Sequence, residues 1–549
     1  MSIIHHPLTF QSAQANLADN ALTIVRTLTQ AGYQAVYAGG CIRDALRGAP
    51  VKDIDIATSA TPDQVAALFP AQSIGVGKAF GVMLVVIHGI SYDVATFRTD
   101  GGYQDGRHPQ SITFDSAEHD ALRRDFTINA LFYNPLEACI IDYVGGLEDL
   151  RQGCLRTVGD PLTRFREDRL RMLRAIRFAT TCQWQIDPAT WAAIQAEADH
   201  LPCVSIERIR SEFIRTLCAA PTPSHALELL AQSGLLKHFF PELLALRGCP
   251  QDPLWHPEGD VWVHTARMLD LAECPRSPQL VWAALLHDIA KPNALQIGTK
   301  PDGSPAYRTP GHAHLGAKMA ADILRRFKES RETIDAVTTA VAGHMQFIEL
   351  PKMKAATARH FLGRPTIQLE LALHRLDCLS SHAKLDLYTL AQERLAQYAA
   401  APILPPPAIQ GRDLIACGLH PGPTFGPLLK KLYTEQLEGA TRETLLHTLL
   451  TQHATPQNTL FIYAPGAPFP LRQTWEARCQ TAPEKTTLMI LPGQYWPEPP
   501  HPQRRILRLV TDCAGRLDPP DFSPFNLIIC PAEIPLPAPL PHGAHLLTP

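Results

Sequence analysis

The hydrophobic period of this sequence changes near residue 150, and that change limits what the chain can fold into. Between residues 20 and 150 the apolar positions fall in short runs rich in Val, Ile and Tyr: AVYAGG, DIDIAT, VMLVVI, SYDVATF and ACIIDYV. Alternation with a period of two is the pattern of half-buried strands. From about 150 to 400 those runs fade, and ATWAAIQAEADHL, HALELLAQSGLL and AKMAADILRRF repeat near 3.6 residues, the period of an amphipathic helix. The order predicts an α+β chain, with a mixed sheet and its helices as a head and a mostly helical remainder.

A chain of 549 residues exceeds what one hydrophobic core supports, so several packed units are expected. We place a head at 20–150, a helical neck at 151–220, a helical body at 221–400, a short helical tail at 408–450 and a separate module at 455–549. The last is set apart by proline, since 26 of the 49 prolines fall in the final 149 residues, and APILPPP at 401–407 reads as a linker. Four apolar runs recur there between prolines, TLFIYA, TTLMIL, RILRLV and FNLIIC, so a small β-containing module is expected rather than disorder. Thirteen cysteines occur without a CxxC pair, which argues against a zinc ribbon or disulfide scaffold and for reduced thiols in a cytoplasmic protein. No apolar run is long enough for a membrane span, and the first residues lack a signal-peptide pattern.

The net charge of −3 gives no global basic field, so nucleic-acid contact must come from a local patch. One stands at RFREDRLRMLRAIR, residues 164–177, with six arginines against two acids. Upstream, AVYAGGCIRDALRG runs from a strand through Gly39 and Gly40 into a helix. Glycines let backbone approach a ligand closely, and free N–H groups at a helix start suit phosphate oxygens. KDIDIAT follows at 52–58. In a strand Asp53 and Asp55 leave the same face, and carboxylates that close repel one another unless a cation lies between them, which favours Mg²⁺. Two such ions would serve an in-line displacement, one lowering the pKa of an attacking 3′-hydroxyl and the other binding the triphosphate and leaving pyrophosphate. Asp93 in SYDVATFR is a candidate third carboxylate.

The order G-G, R-D, D-x-D, then RRDFTINAL at 123–131 and EDRLRMLRAIRF at 167–178 resembles the class II tRNA nucleotidyltransferases of the polymerase-β-like superfamily, from about residue 20 to about 450. The resemblance implies addition of C, C and A to tRNA 3′ ends from CTP and ATP, with tRNA as partner and a homodimer as an assembly open to it. It implies nucleotide contacts from Gly39, Gly40, Arg43, Arg124, Asp125 and Arg174, and base selection by Glu167, Asp168 and Arg171. The chemistry of selection follows from the bases. Cytosine and adenine present an amino donor beside a ring-nitrogen acceptor, whereas uracil and guanine present the reverse, so an Asp acceptor with an Arg donor matches the first pair and not the second. Rejection of a reversed pattern can reach about 10⁴-fold. On one continuous helix Asp168, Arg171 and Arg174 would share a face, because residues three apart are displaced by about 60°. Arg177 falls half a turn from Asp168 and is assigned to the triphosphate or to positioning the other arginines.

FRTDGGYQDGRHPQSITF, 97–114, is polar and glycine-rich and predicts a mobile loop; the resemblance links such a segment to addition of the terminal A. GRDLIACGLHPGPTFGPLLKKLYTEQLEG, 411–439, resembles the family's tRNA-contacting tail. In the body, His264, His287-Asp288 and Asp377 follow the H…HD…D order of HD-type phosphohydrolases. Such a set could hold Mg²⁺, Mn²⁺ or Ni²⁺, with His312, His314 and His344 available to complete a fuller site. The HD resemblance implies phosphatase or 2′,3′-cyclic phosphodiesterase action. Two other readings are a poly(A) polymerase and an RNA-binding HD phosphohydrolase with an inactive head. The presence of both aspartates and the whole EDRLR block weighs against the second.

Overall fold

The computed structural model describes residues 1–11, 16–77, 80–101, 111–398, 402–416, 419, 421–452, 459–462, 487–490, 527–529 and 545–547. By contacts the chain divides into two units, Met1–Gln346 with Gln368–Asp386 and Phe347–Ile367 with Leu387–Pro549.

The head of the first unit is an eight-stranded mixed sheet. Its strands are β1 (Ser2–His5), β2 (Ala35–Ala38), β3 (Asp55–Thr58), β4 (Ser73–Gly77), β5 (Val82–Ile87), β6 (Ile90–Thr96), β9 (Phe132–Asn134) and β10 (Cys139–Asp142); β7 (Arg98–Asp100) and β8 (Ile112–Phe114) form a separate hairpin. The spatial order is β1-β10-β9-β2-β3-β6-β5-β4, all antiparallel except β3 beside β6. The sheet thus takes in residues before 20, with β1 paired to β10. His88 (φ 50°) and Gly89 (φ 78°) make the two-residue turn between β5 and β6, the mirror-image geometry that suits strand twist.

Period two divides the sheet into faces. Helix α1 (Leu17–Gln30) buries Leu17, Ala21, Ile24, Val25 and Leu28 in one core with Tyr37, Ile56, Met83 and Val94. Val36, Ala38, Ala57, Phe97 and Phe132 form a second core on the other face. Asp55 precedes Ile56 and Asp93 precedes Val94, so both carboxylates leave the face away from α1.

Asp142 closes the sheet onto the next helix, α5 (Gly146–Gln152). It is 4% exposed and accepts from the backbone N–H groups of Val144, Gly145, Gly146 and Leu147 at 2.9–3.1 Å. Beyond it, α6 (Pro161–Glu167), α7 (Leu170–Cys182) and later helices of the first unit share one core reaching from Phe126 to Leu376. Its centre is aromatic: Phe213, Phe240 and Phe327 lie 5.0–6.1 Å from the Trp282 ring, within the range of favourable ring packing. The Trp282 indole N–H donates to Glu329 at 3.0 Å.

In the second unit the proline run does not behave as a free linker. Tyr433 donates to the Pro405 carbonyl at 2.8 Å, Gln436 to that of Pro406 at 3.0 Å, and Arg359 to that of Ile403 at 3.1 Å. An extended proline segment makes no internal hydrogen bonds, so its carbonyls stay available to neighbours. Strands Thr459–Ile462, Thr487–Ile490, Leu527–Ile529 and His545–Leu547 form a parallel sheet in which the first and third are central. They match three of the four expected runs, while RILRLV at 505–510 lies outside the described residues.

Asp142→Ala strips four N–H groups of their acceptor at once. Urea unfolding should show a loss of about 3 kcal/mol, the scale of leaving buried donors unmet.

Candidate active site and metal centre

A cleft of about 430 Å³ opens where β2 ends and β3 begins, in the middle of the sheet, and Gly39, Gly40, Asp55, Asp168 and Phe178 contribute to its lining. Gly39 joins β2 to α2 (Gly40–Leu46) with φ 74°, and a Cβ there would lie 2.9 Å from Arg124 Nη1. Both conditions require glycine. Asp55 opens β3 beside Ala38, and Asp53 lies just before the strand. Residues 53–56 alternate exposed, buried, exposed, buried, so Asp53 and Asp55 share a face as expected. The Asp55 carboxyl is pushed up to about 6, first by partial burial and then by Asp53 and Asp93, and Asp93 is raised in the same way. With Asp55 and Asp93 both raised, this face is short of positive charge, and oxygen donors left open to solvent fit a magnesium ion that keeps waters and takes substrate phosphates.

The opposite wall is basic. Arg43 stacks on the Phe178 ring at 4.9 Å, Arg174 at 5.3 Å and Arg177 at 4.3 Å, so one buried aromatic ring gathers three guanidinium groups. Asp125 fixes the middle one, receiving Arg174 Nε at 2.9 Å and Nη2 at 2.7 Å while Asn129 Nδ2 donates to its other oxygen at 3.1 Å. Burial opposes ionisation of Asp125, but Arg174 and Arg171 outweigh it and hold the carboxyl well below the usual range. Asp120, 1% exposed, receives Arg123 at 2.6 Å and Arg124 at 3.0 Å. Arg177 pairs with Glu212 at 2.7 Å.

The base-selecting block is built differently from the helical reading. Helix α6 ends at Glu167 and α7 begins at Leu170, leaving Asp168 in extended backbone (φ −145°, ψ 106°). Asp168 therefore does not share a helical face with Arg171 and Arg174, although all three line the cleft. Its carboxylate accepts from Leu170 N–H at 3.0 Å and from Arg208 Nη2 at 2.8 Å. Arg171 instead pairs with Glu167 at 2.7 Å and donates to the backbone carbonyls of Arg164 and Arg123. The acceptor and the donor stand at the same cleft, each positioned by its own partners.

In the body, helix Val261–Leu271 carries His264 and helix Pro278–Leu286 ends at His287. Asp377 comes from helix Ile367–Ser380. His264 Nε2 lies 3.3 Å from His287 Nε2 and 3.2 Å from Asp377 Oδ1, and Asp288 Oδ2 lies 3.0 Å from His287 Nε2. His264, His287 and Asp288 are at most 2% exposed. Glu258 Oε1 lies 2.6 Å from His264 Nδ1, which turns Nε2 toward the cluster as metal-bound histidines require. Burial favours a neutral ring, yet Asp377 and Glu258 hold His264 up to about 9, so a cation entering here must release a proton. The imidazole-rich donor set fits a divalent transition metal.

Three family profiles match along the chain: the Poly A polymerase head domain over residues 35–156, the probable RNA and SrmB-binding site of polymerase A over 184–246 and the HD domain over 261–381. The CCA-adding enzyme of Geobacillus thermodenitrificans is 47% identical over 216 residues, 39% of this chain and 53% of that protein, so the chain spans about half the length of that relative. The CCA-adding enzyme of Lacticaseibacillus paracasei is 32% identical over 429 residues, covering 76% of this chain and 92% of that protein. This chain belongs to the CCA-adding enzyme family. The crystal structure of the Bacillus stearothermophilus CCA-adding enzyme in complex with CTP superposes with a TM-score of 0.59 at 29% identity, covering 78% of this chain and 94% of that one.

For a CCA-adding enzyme family member, the residues singled out in the sequence gather as two sets. Asp55, Gly39, Gly40, Arg43, Arg124, Asp125, Asp168, Arg171, Arg174 and Arg177 line one cleft, while His264, His287, Asp288 and Asp377 meet in the body. His314 stays outside that centre, exposed on its helix. Sequence reasoning missed Asp120, Asn129, Arg208 and Glu212, which hold the cleft's charges in place, and Glu258 and Lys291, which border the metal cluster. Arg208 and Glu212 lie 40 and 35 residues from Asp168 and Arg177, so no local spacing marks them, whereas Asp120 and Lys291 stand at helical spacing from Arg124 and Asp288 and could have been found by it. No helix among the described residues is long and apolar enough to cross a membrane.

Asp125→Ala leaves Arg174 without its main counter-charge. Thermal unfolding should register a loss of roughly 2–4 kcal/mol, because removing one partner strands the other. The wild-type contribution should be complete above about pH 4 and decline below it, since a carboxyl depressed on folding gives up its stabilisation only as acid protonates it.

Proposed function

We propose that the head cleft adds C, C and A to the 3′ end of tRNA, taking CTP and ATP as substrates. The observation that carries this reading is the meeting, in one cleft of a CCA-adding enzyme family member, of the Asp55 carboxylate face with a guanidinium wall that includes Asp168 and Arg171. Asp53 and Asp55, with Asp93 beside them, would hold Mg²⁺. Magnesium bound there supplies activation of the 3′-hydroxyl and neutralisation of the triphosphate.

The chain's own groups do the rest. Arg43 and Arg124, each anchored on a carboxylate and an aromatic ring, present charge to phosphate oxygens without having to reorganise. Each Asp168 oxygen retains a lone pair beyond its bond to Leu170 N–H or Arg208, and Arg171 keeps N–H donors beyond those spent on Glu167 and two carbonyls. Acceptor and donor can then meet the amino group and ring nitrogen of cytosine or adenine. Uracil and guanine would set acceptor against acceptor and donor against donor, which a buried site rejects strongly.

In the body, the buried cluster of His264, His287, Asp288 and Asp377 supports a second activity, metal-dependent hydrolysis of phosphate esters at RNA ends. Lys291, 2.7 Å from Asp288 Oδ2, adds a cation that a phosphate could meet.

Purified chain, Mg²⁺ and tRNA lacking CCA, supplied with CTP and ATP separately and together, provide the test. CTP alone should extend the tRNA by two residues, and both nucleotides together by three. ATP-only tailing without CTP would favour poly(A) addition instead. Asp55→Ala should slow extension roughly 10³-fold, equivalent to about 4 kcal/mol of lost metal assistance, while tRNA still binds in a gel-shift assay. In a separate assay, His287→Ala should abolish ring opening of a 2′,3′-cyclic phosphate to the monoester, or release of phosphate from a 3′-phosphorylated RNA end, and leave CCA addition intact.

A further inference from the structure

We propose that Trp255 stacks on the nucleobase of the phosphate ester hydrolysed in the body, so that the substrate there is a nucleotide or a nucleotide end of RNA rather than a phosphate ester of any kind. The proposal rests on the phosphohydrolase reading of His264, His287, Asp288 and Asp377 and names the substrate class for that site.

Trp255 is 55% exposed, and it is the only exposed tryptophan among the described residues. A single exposed apolar side chain is ordinary. Its position is what gives this one meaning. The next residue, His256, packs its ring against His264 with centroids 4.9 Å apart, and the Nδ1 atoms of the two rings meet Glu258 Oε1 at 3.0 Å and 2.6 Å. The Trp255 ring itself meets His382 in a T-shaped contact, 6.4 Å between centroids and 79° between planes. His382 lies just past helix Ile367–Ser380, which supplies Asp377 and whose last residue brings Ser380 Oγ to 3.2 Å from His264 Nδ1. Two separate segments thus tie the indole to the same buried histidine.

The cluster is open on that side. The side chains of His264, His287 and Asp288 are at most 3% exposed, whereas that of Asp377 is 21% exposed. Solvent therefore reaches the cluster at Asp377, near the helix end from which His382 approaches Trp255. The cluster itself consists of imidazoles and carboxylates, which suit a cation and through it the oxygens of a phosphate. None of these groups reads a base. Preference for a nucleotide over another phosphate ester must come from the rim, where Trp255 and His382 stand.

Both rings are held in place. The Asp252 carbonyl accepts from the Trp255 and His256 N–H groups at 3.0 Å and 2.9 Å, and its carboxylate takes the Leu254 N–H at 3.1 Å and Lys300 at 2.9 Å. Past the helix end, Ala383 adopts φ 58° and donates to the Cys378 carbonyl at 2.7 Å. The Lys384 N–H donates to His382 Nδ1 at 3.0 Å, so a neutral His382 ring carries its hydrogen on Nε2. A backbone fixed in advance leaves less entropy to lose when a base settles on the ring. Every base has a π face, so such a platform accepts purines and pyrimidines alike.

The test compares ring opening by the full chain, supplied with Mn²⁺ or Ni²⁺, of 2′,3′-cyclic AMP and of methyl riboside 2′,3′-cyclic phosphate, which has no base. The wild type should favour cyclic AMP about tenfold in kcat/KM, a factor that one base–aromatic stack can supply. W255A and W255L should lose most of that preference through KM rather than kcat, and W255F should keep it. An oligoribonucleotide with the same cyclic end, assayed in parallel, distinguishes the source of the base: dependence on Trp255 there too assigns an RNA end, and dependence for cyclic AMP alone assigns a free nucleotide. A wild type that opens both small substrates equally well would overturn the proposal, as would a preference that survives W255A and W255L; either result leaves the phosphohydrolase reading intact. A wild type that opens no cyclic phosphate and releases no phosphate from 3′-AMP would overturn both.

Discussion

The ion pair between Asp125 and Arg174 is the interaction on which the cleft depends. Asp125 follows directly on the two arginines held by Asp120, and Arg174 lies one turn into a helix whose other face belongs to the long core running from Phe126 to Leu376. Their contact therefore sets where a guanidinium wall stands relative to a carboxylate face. Without it, the arginines around Phe178 would repel one another, and nothing in the apolar packing would fix their direction. The neighbouring pairs extend the same logic: Glu212 positions Arg177, Glu167 positions Arg171, and Arg208 positions Asp168. Each charged group of the basic wall has an opposite charge behind it, so that wall is ordered before a nucleotide arrives.

The metal cluster of the body uses the opposite arrangement. There the anions and the imidazole Nε2 atoms point inward, and the compensating groups sit behind the histidines as carbonyls and as Glu258. A centre of that kind is satisfied only when a cation enters. In the head, Asp53 raises the proton affinity of Asp55 and Asp93 on an open sheet face, where waters and phosphates can complete a coordination shell. In the body, burial leaves the side chains themselves to supply it. One chain thus offers an open oxygen site and a closed nitrogen-rich site, which suit different metals.

Much of this was legible in the sequence. The strand runs of the head, the helical body and the alternation that puts Asp53 and Asp55 on one face all follow from hydrophobic period, a property of neighbours along the chain. The motif residues were legible as types and order, and the cleft gathers them. The misreadings have local causes. Residues 164–177 read as one helix because their apolar spacing is continuous, yet the chain breaks at Asp168, whose side chain takes the Leu170 N–H and whose backbone turns extended. The proline run at 401–407 read as a linker because proline signals extension, but the sequence does not show that Tyr433 and Gln436 bond its carbonyls. His314 was grouped with His312 by proximity, although two positions along a helix turn a side chain through about 200° and away from its neighbour.

The sequence by itself determined the classes of element, their order and the kinds of chemistry available, because periodicity and residue type are local. Only the tertiary structure decided which charges pair. Asp125 with Arg174, Asp168 with Arg208, and Asp288 with His312 are contacts between residues whose spacing carries no common signal. The energy of a charge depends on what lies within a few ångströms of it in space, and the sequence states distance only along the chain.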